Sequence, residues 1–156
     1  MNRMLTSSAC VICLFYSGSN RRLGAADEVD ALLILGQWRP SSTIERGKEI
    51  EHEAKKPLCW FFSKNNKLTL YVDVDTKCSA KYTIDAKKSS LTFTFLDGPY
   101  KGRKHKAFYK IDKVHNLHVL FNAKDRSGLP MLKDFDKKKI KQNKEYTYII
   151  FEKVKE

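Results

Sequence analysis

The chain has 156 residues, room for one domain and little more, and its 42% hydrophobic content supports a packed core and excludes a disordered polymer. With 30 lysines and arginines against 18 acidic residues it carries a formal net charge of +12, which favours anionic partners: nucleic acid, lipid head groups or acidic envelope polymers. Lysine dominates that excess and lacks the planar fork that reads bases and phosphates bidentately, so the balance argues against specific nucleic-acid recognition.

Residues 1–26 read as a signal peptide and not as part of the fold. Arg3 supplies a positive start, Met4 to Tyr16 is a largely apolar run, and Leu23-Gly-Ala-Ala26 offers small residues for cleavage after Ala26. The run is too short to span a bilayer comfortably, so no transmembrane segment is expected after signal removal. Loss of Arg3, Arg21 and Arg22 leaves 27 basic against 18 acidic residues, a charge of +9 on residues 27–156. The expected destination is the periplasm, the cell envelope or the medium.

Asp27 to Leu35 has the pattern of a short helix, with Asp27 as cap, acids in the first turn and Val29, Leu32 and Leu33 on one face. Arg39 to Ile44 reads as a first strand, with Pro40 telling against a central, fully hydrogen-bonded position. Glu45 to Lys56 is charged and irregular, with a turn at Arg46-Gly47-Lys48 and room for one helical turn at Glu49 to Ala54. Pro57 to Ser63 is a second strand, and Lys64-Asn-Asn-Lys67 a tight hairpin in which asparagine tolerates positive φ.

Five runs follow in which apolar and polar residues mostly alternate: Leu68–Val74, Ala80–Ile84, Leu91–Leu96, Ala107–Ile111 and Leu117–Phe121. The linkers between them carry turn residues and are too short for parallel crossovers. A long polar connection, Asn122 to Lys144, precedes a final strand at Tyr146 to Phe151. Eight antiparallel strands in simple succession resolve their edges best by closing on themselves. The expected fold is all-β, an eight-stranded antiparallel up-and-down barrel with a short N-terminal helix, over residues 27–156.

Leu35-Gly-Gln-Trp38 stands after the short helix and Arg46-Gly-Lys-Glu-Ile50 after the first strand. Gly98-Pro-Tyr-Lys-Gly102 precedes strand six, Tyr109-Lys-Ile-Asp112 opens a hairpin towards Leu117, and Phe151-Glu-Lys-Val-Lys155 closes the chain. In this order and spacing the chain resembles lipocalins, and more specifically the uncharacterised lipocalin-like domain family abundant in Planctomycetes. The resemblance covers roughly Val29 to Lys155 and implies an exported barrel; it hands over no ligand and no activity. It also implies that Trp38 packs beneath a basic side chain from the end of the last strand, for which Lys153 is best placed and Arg126 next.

Seven aromatic residues are expected to point into the barrel: Trp38, Tyr71, Tyr82, Phe93, Phe95, Phe108 and Phe121. They either fill the interior or line a pocket for a small apolar ligand, and a barrel this small with so many rings favours filling. Cys59 and Cys78, the only cysteines beyond the signal, invite a disulfide in an exported protein. A whole strand separates theirs, ~9.6 Å by strand spacing against a limit of roughly 7 Å between Cα atoms, so two buried free thiols stand as the alternative. His52, His105, His115 and His118 form no metal-ligand pattern, and His115 and His118 point to opposite faces if they share a strand. No nucleophile stands in a catalytic context, Asp73 and Asp75 read as exposed turn acids, and no cofactor is expected. Two basic runs remain: Lys101, Arg103, Lys104 and Lys106 before strand six, and Lys137, Lys138, Lys139 and Lys141 in the last long loop. They are read as loop surfaces able to hold an anionic envelope polymer or lipid head groups by counterion release.

Overall fold

The computed structural model describes residues 31–53, 58–71, 76–122 and 135–155. They form nine strands: β1 (Gly36–Glu45), β2 (Lys48–Glu51), β3 (Cys59–Phe62), β4 (Lys67–Tyr71), β5 (Lys77–Asp85), β6 (Ser90–Phe95), β7 (Lys104–Ile111), β8 (Leu117–Asn122) and β9 (Tyr146–Lys153). A helical turn covers 31–33, a 3-10 turn Ala86–Lys88, and helix α1 Lys137–Gln142. Every strand pairs antiparallel with its neighbour, and β1 also pairs with β9, which closes the sheet. Both β2 and β3 lie against β1, β2 opposite Ser42–Glu45 and β3 opposite Gly36–Trp38. They are two pieces of one lane, so the barrel has eight lanes. Glu49 to Glu51 is therefore strand, not the helical turn expected there.

Pro40 sits in a central strand after all. The β1–β9 register slips between Pro40 and Ser42, leaving Ser41 as a bulge, and no described residue of the second lane pairs with Pro40. The missing N–H thus falls where the ladder is already broken. The slip also reverses which side chains face inward. Trp38 belongs to the interior cluster, whereas Ile44, an even number of residues later, joins a cluster on the outer wall.

Two cores result. Inside the barrel Trp60, Phe62, Leu68, Tyr82, Leu91, Phe93, Tyr109, Val119 and Phe151 pack together. Outside, Ile44, Leu120, Tyr146 and Tyr148 are covered by Phe135 and by Ile140 of α1. Asp136 caps α1 by accepting from the backbone N–H groups of Lys138 and Lys139. Glu49 anchors the helix from the β1–β2 hairpin, receiving Lys137 Nζ at 2.9 Å and Lys141 Nζ at 2.7 Å. Gly47 (φ +82°) permits the approach, since a Cβ there would lie 2.6 Å from the Lys141 carbonyl oxygen.

The turns at 63–66, 86–89 and 112–116 share one end with 31–35 and the end of β9. The β1–β2 turn, the β6–β7 loop and the connection to β9 share the other. The first end is closed. Trp38 Nε1 donates to the Ile34 carbonyl at 2.6 Å, and Lys153, its cross-strand partner, places Nζ 5.4 Å from the Trp38 ring centroid. That is the contact the resemblance implied, with Lys153 as the cation.

Candidate functional site

Five of the seven residues expected inside the barrel are there: Trp38, Tyr82, Phe93, Phe95 and Phe121. Tyr71 and Phe108 are not. Tyr71 pairs with Cys59 and Lys77 on the outer wall and is 38% exposed. Phe108 packs with the outer cluster, and its neighbour Tyr109 takes the inward position. In both pairs, Leu70-Tyr71 and Phe108-Tyr109, two large apolar residues are adjacent, so alternation by itself does not say which points in.

Aromatic rings pack the interior among the described residues. Trp60 stands at its centre, with ring centroids of Phe151 at 4.6 Å, Phe93 at 5.5 Å, Phe121 at 5.8 Å and Phe62 at 6.1 Å. Above it, Leu70, Phe95, Tyr100 and His105 line about 110 Å³ of apolar space. Pockets for small molecules commonly measure ~300–1,000 Å³. A space of this size suits a few heavy atoms.

Cys59 and Cys78 are free and buried. Besides lying in lanes separated by β4, they point to opposite faces of the wall. Cys59 shares the outer face with Tyr71 and accepts from Gln37 Nε2 at 3.2 Å, while Cys78 pairs with the inward Leu70. The disulfide is therefore excluded by orientation as well as by lane. Asp73, Asp75 and Arg126 lie outside the described residues.

The histidines stay apart, and among the described residues no cluster of three or more His, Cys, Asp or Glu side chains could hold a metal. His118 nonetheless makes an arrangement that the sequence did not suggest. Its Nε2 is 2.9 Å from Asp112 Oδ2, and its Nδ1 is 2.5 Å from the Tyr148 hydroxyl. A carboxylate only accepts, so Nε2 carries the proton and Nδ1 receives the Tyr148 O–H. Burial pushes His118 below its ordinary pKa, with Asp112 partly opposing the shift. Burial would raise Asp112, but hydrogen bonds from His118, Asn116 and Val114 outweigh it and hold the carboxyl low. Burial, helped by the charges of Asp112 and Glu49, pushes Tyr148 up to about 12. The Tyr148 ring packs 6.0 Å from that of Phe135 and the tyrosine is only 2% exposed, so the chain of bonds ties the β7–β8 turn to β9 and meets solvent at Asp112.

Both basic runs are exposed, but they are built differently from the expected loops. Lys104 and Lys106 lie within β7 on its outer face, while Lys101 and Arg103 remain in the preceding loop, Arg103 over the Tyr100 ring at 5.8 Å. Lys137 to Lys141 form α1, and Lys137 and Lys141 are committed to Glu49, whose carboxyl those two ammonium groups hold at about 2. Lys139 lies 3.9 Å from Asp136.

The stronger basic feature is the outer wall of β4 to β7. Lys67 pairs directly with Lys81, Lys81 with Thr94, and Thr94 with Lys104, a row crossing four lanes. Beside it run Thr83–Thr92–Lys106 on one side, and Phe61–Thr69–Ser79 and Tyr71–Lys77 on the other. Among the described residues carboxylates stand at the margins of this wall: Asp85 caps the 3-10 turn, and Asp97 accepts from the Ser79 N–H at 2.6 Å. That N–H, aided by the charges of Lys67 and Lys77, holds Asp97 below the usual carboxylate range. Lys67, Lys77 and Lys81 escaped the sequence reading because they are far apart in the chain. Their signal was the outward position of each in its alternating run. No protein-family model, curated protein or solved structure matches this chain.

Proposed function

We propose that the chain is a non-catalytic, exported, lipocalin-like barrel that binds an anionic envelope polymer across the outer wall of β4 to β7. The observation that carries this reading is the row Lys67–Lys81–Thr94–Lys104. Like charges placed directly opposite one another destabilise an antiparallel pair, and among the described residues Asp97 at the margin offsets only part of this charge. A polyanion lying across the row supplies further counter-charge and releases its own counterions. Threonine and serine hydroxyls between the lysines offer hydrogen bonds, and the exposed rings of Phe61 and Tyr71 offer flat apolar contact to sugar or other ring units.

Retention of the protein on immobilised polyphosphate tests the reading. The variant Lys67→Glu/Lys81→Glu/Lys104→Glu should elute at much lower salt, while Lys138→Glu, on α1, should elute with the unsubstituted protein. Equal elution of all three would overturn it. A small apolar ligand in the space above Trp60 is the second reading, favoured only by its apolar lining. Native mass spectrometry of the protein from its own cells would decide it, by a retained small mass.

A further inference from the structure

We infer that the closed end of the barrel docks on an anionic lipid bilayer. The two most exposed large apolar side chains among the described residues, Val114 (73%) and Leu32 (67%), both project from this end, with Leu33 beside them. They are carried on rigid supports. Val114 tops the β7–β8 turn, where Asp112 Oδ1 accepts from the N–H groups of Val114 at 3.0 Å and Asn116 at 2.8 Å. The helical turn bearing Leu32 and Leu33 is tied to the barrel floor through the carbonyls of Leu33 and Ile34, which receive Lys153 Nζ and Trp38 Nε1. Turns that can neither fold back nor cover their apolar tips present them permanently to the surroundings.

The two projections adjoin one another. Leu33 and His115 line one depression, and Leu35, Val114 and Lys153 line a groove of about 710 Å³ next to it. The exposed Lys87, Lys113 and Lys155 stand at the same end, with Lys88 paired to Asp85 at 3.4 Å and the exposed Glu152 in the groove beside Val114, so lysine remains in excess there. Apolar points beside an excess of lysines match a bilayer, with the tips entering the acyl boundary and the ammonium groups left at the level of anionic head groups. A wall that binds polymer and an end that seats on lipid are separate surfaces. This docking does not depend on the polymer reading.

The test uses the full chain with vesicles of phosphatidylcholine, with and without phosphatidylglycerol, in a flotation assay, together with a Val114→Trp reporter. Binding is expected only with phosphatidylglycerol. The reporter's emission should move to the blue on binding and be quenched by lipids spin-labelled near the head group. Replacing two apolar tips, Leu32→Asp/Val114→Asp, should weaken binding roughly a hundredfold, about tenfold for each tip. Lys67→Glu/Lys81→Glu/Lys104→Glu should leave vesicle binding close to unchanged, which separates this surface from the polymer wall. Vesicle binding without a shift or quenching at position 114 would mean that another part of the chain holds the lipid, and overturns the inference. So does a blue shift that appears without vesicles and grows with protein concentration, since a second copy would then cover this end.

Discussion

Replacement of Trp60 by alanine tests the filled interior most severely. The indole is 7% exposed and touches four other rings, from Phe151 at 4.6 Å to Phe62 at 6.1 Å. Truncating a buried tryptophan to alanine costs about 3–5 kcal/mol, and ring pairs contribute roughly 0.5–1.5 kcal/mol each beyond area, so the upper part of that range is expected. Domains are commonly stable by about 5–15 kcal/mol, so the variant should still fold. With a urea dependence of roughly 2 kcal/mol per molar, the unfolding midpoint should fall by about 2 M. Phe61→Ala is the internal control: one residue along the chain but outward and exposed, it should cost no more than about 1 kcal/mol. The vacated indole would also merge with the 110 Å³ space above it. Such a cavity takes up small aromatics, so benzene should raise the melting temperature of Trp60→Ala and leave that of the unsubstituted protein alone. A midpoint change no larger than that of Phe61→Ala would refute the reasoning. Equal stabilisation of both proteins by benzene would show that the barrel is already hollow.

Two further outcomes follow from the outer wall. Glu49→Gln removes both anchors of α1, and because the pairs are solvent-exposed the loss should be about 1 kcal/mol at neutral pH. The folded carboxyl titrates at about 2 against 4.5 unfolded, so this stability is present above pH 4.5 and lost as pH falls towards 2; urea curves of the two proteins should converge there. His118 has a folded pKa below its ordinary 6.5, so the unfolded chain binds more protons just beneath that pH. Stability should therefore be complete above pH 6.5 and decline as pH falls through it, and His118→Gln should flatten that slope; an unchanged slope would remove His118 as its source.

The barrel was legible because alternation and turn residues survive in the sequence at almost every lane, and the Trp38–Lys153 closure because both residues stand at chain-order landmarks. What escaped depends on register. The bulge at Ser41 cannot be seen in Pro40-Ser-Ser42, yet it sends Ile44 to the outside. The anchoring of Lys137 on Glu49 joins residues 88 apart, and no local pattern announces it. Lys104 and Lys106 read as loop because they are charged, although hydrogen bonding to β6 makes them strand. The lysine row itself exists only once the β4–β5, β5–β6 and β6–β7 registers are fixed, since a one-residue slip would turn every member inward.

The most direct test of the polymer-binding wall is the salt dependence of polyphosphate affinity for the unsubstituted protein and for Lys67→Glu/Lys81→Glu/Lys104→Glu. Counterion release predicts that log K falls linearly with log salt, and that the slope shrinks by roughly 2–3 in the variant, close to one for each lost lysine contact. Identical slopes for the two proteins, or an affinity indifferent to salt, would contradict the assignment of this wall.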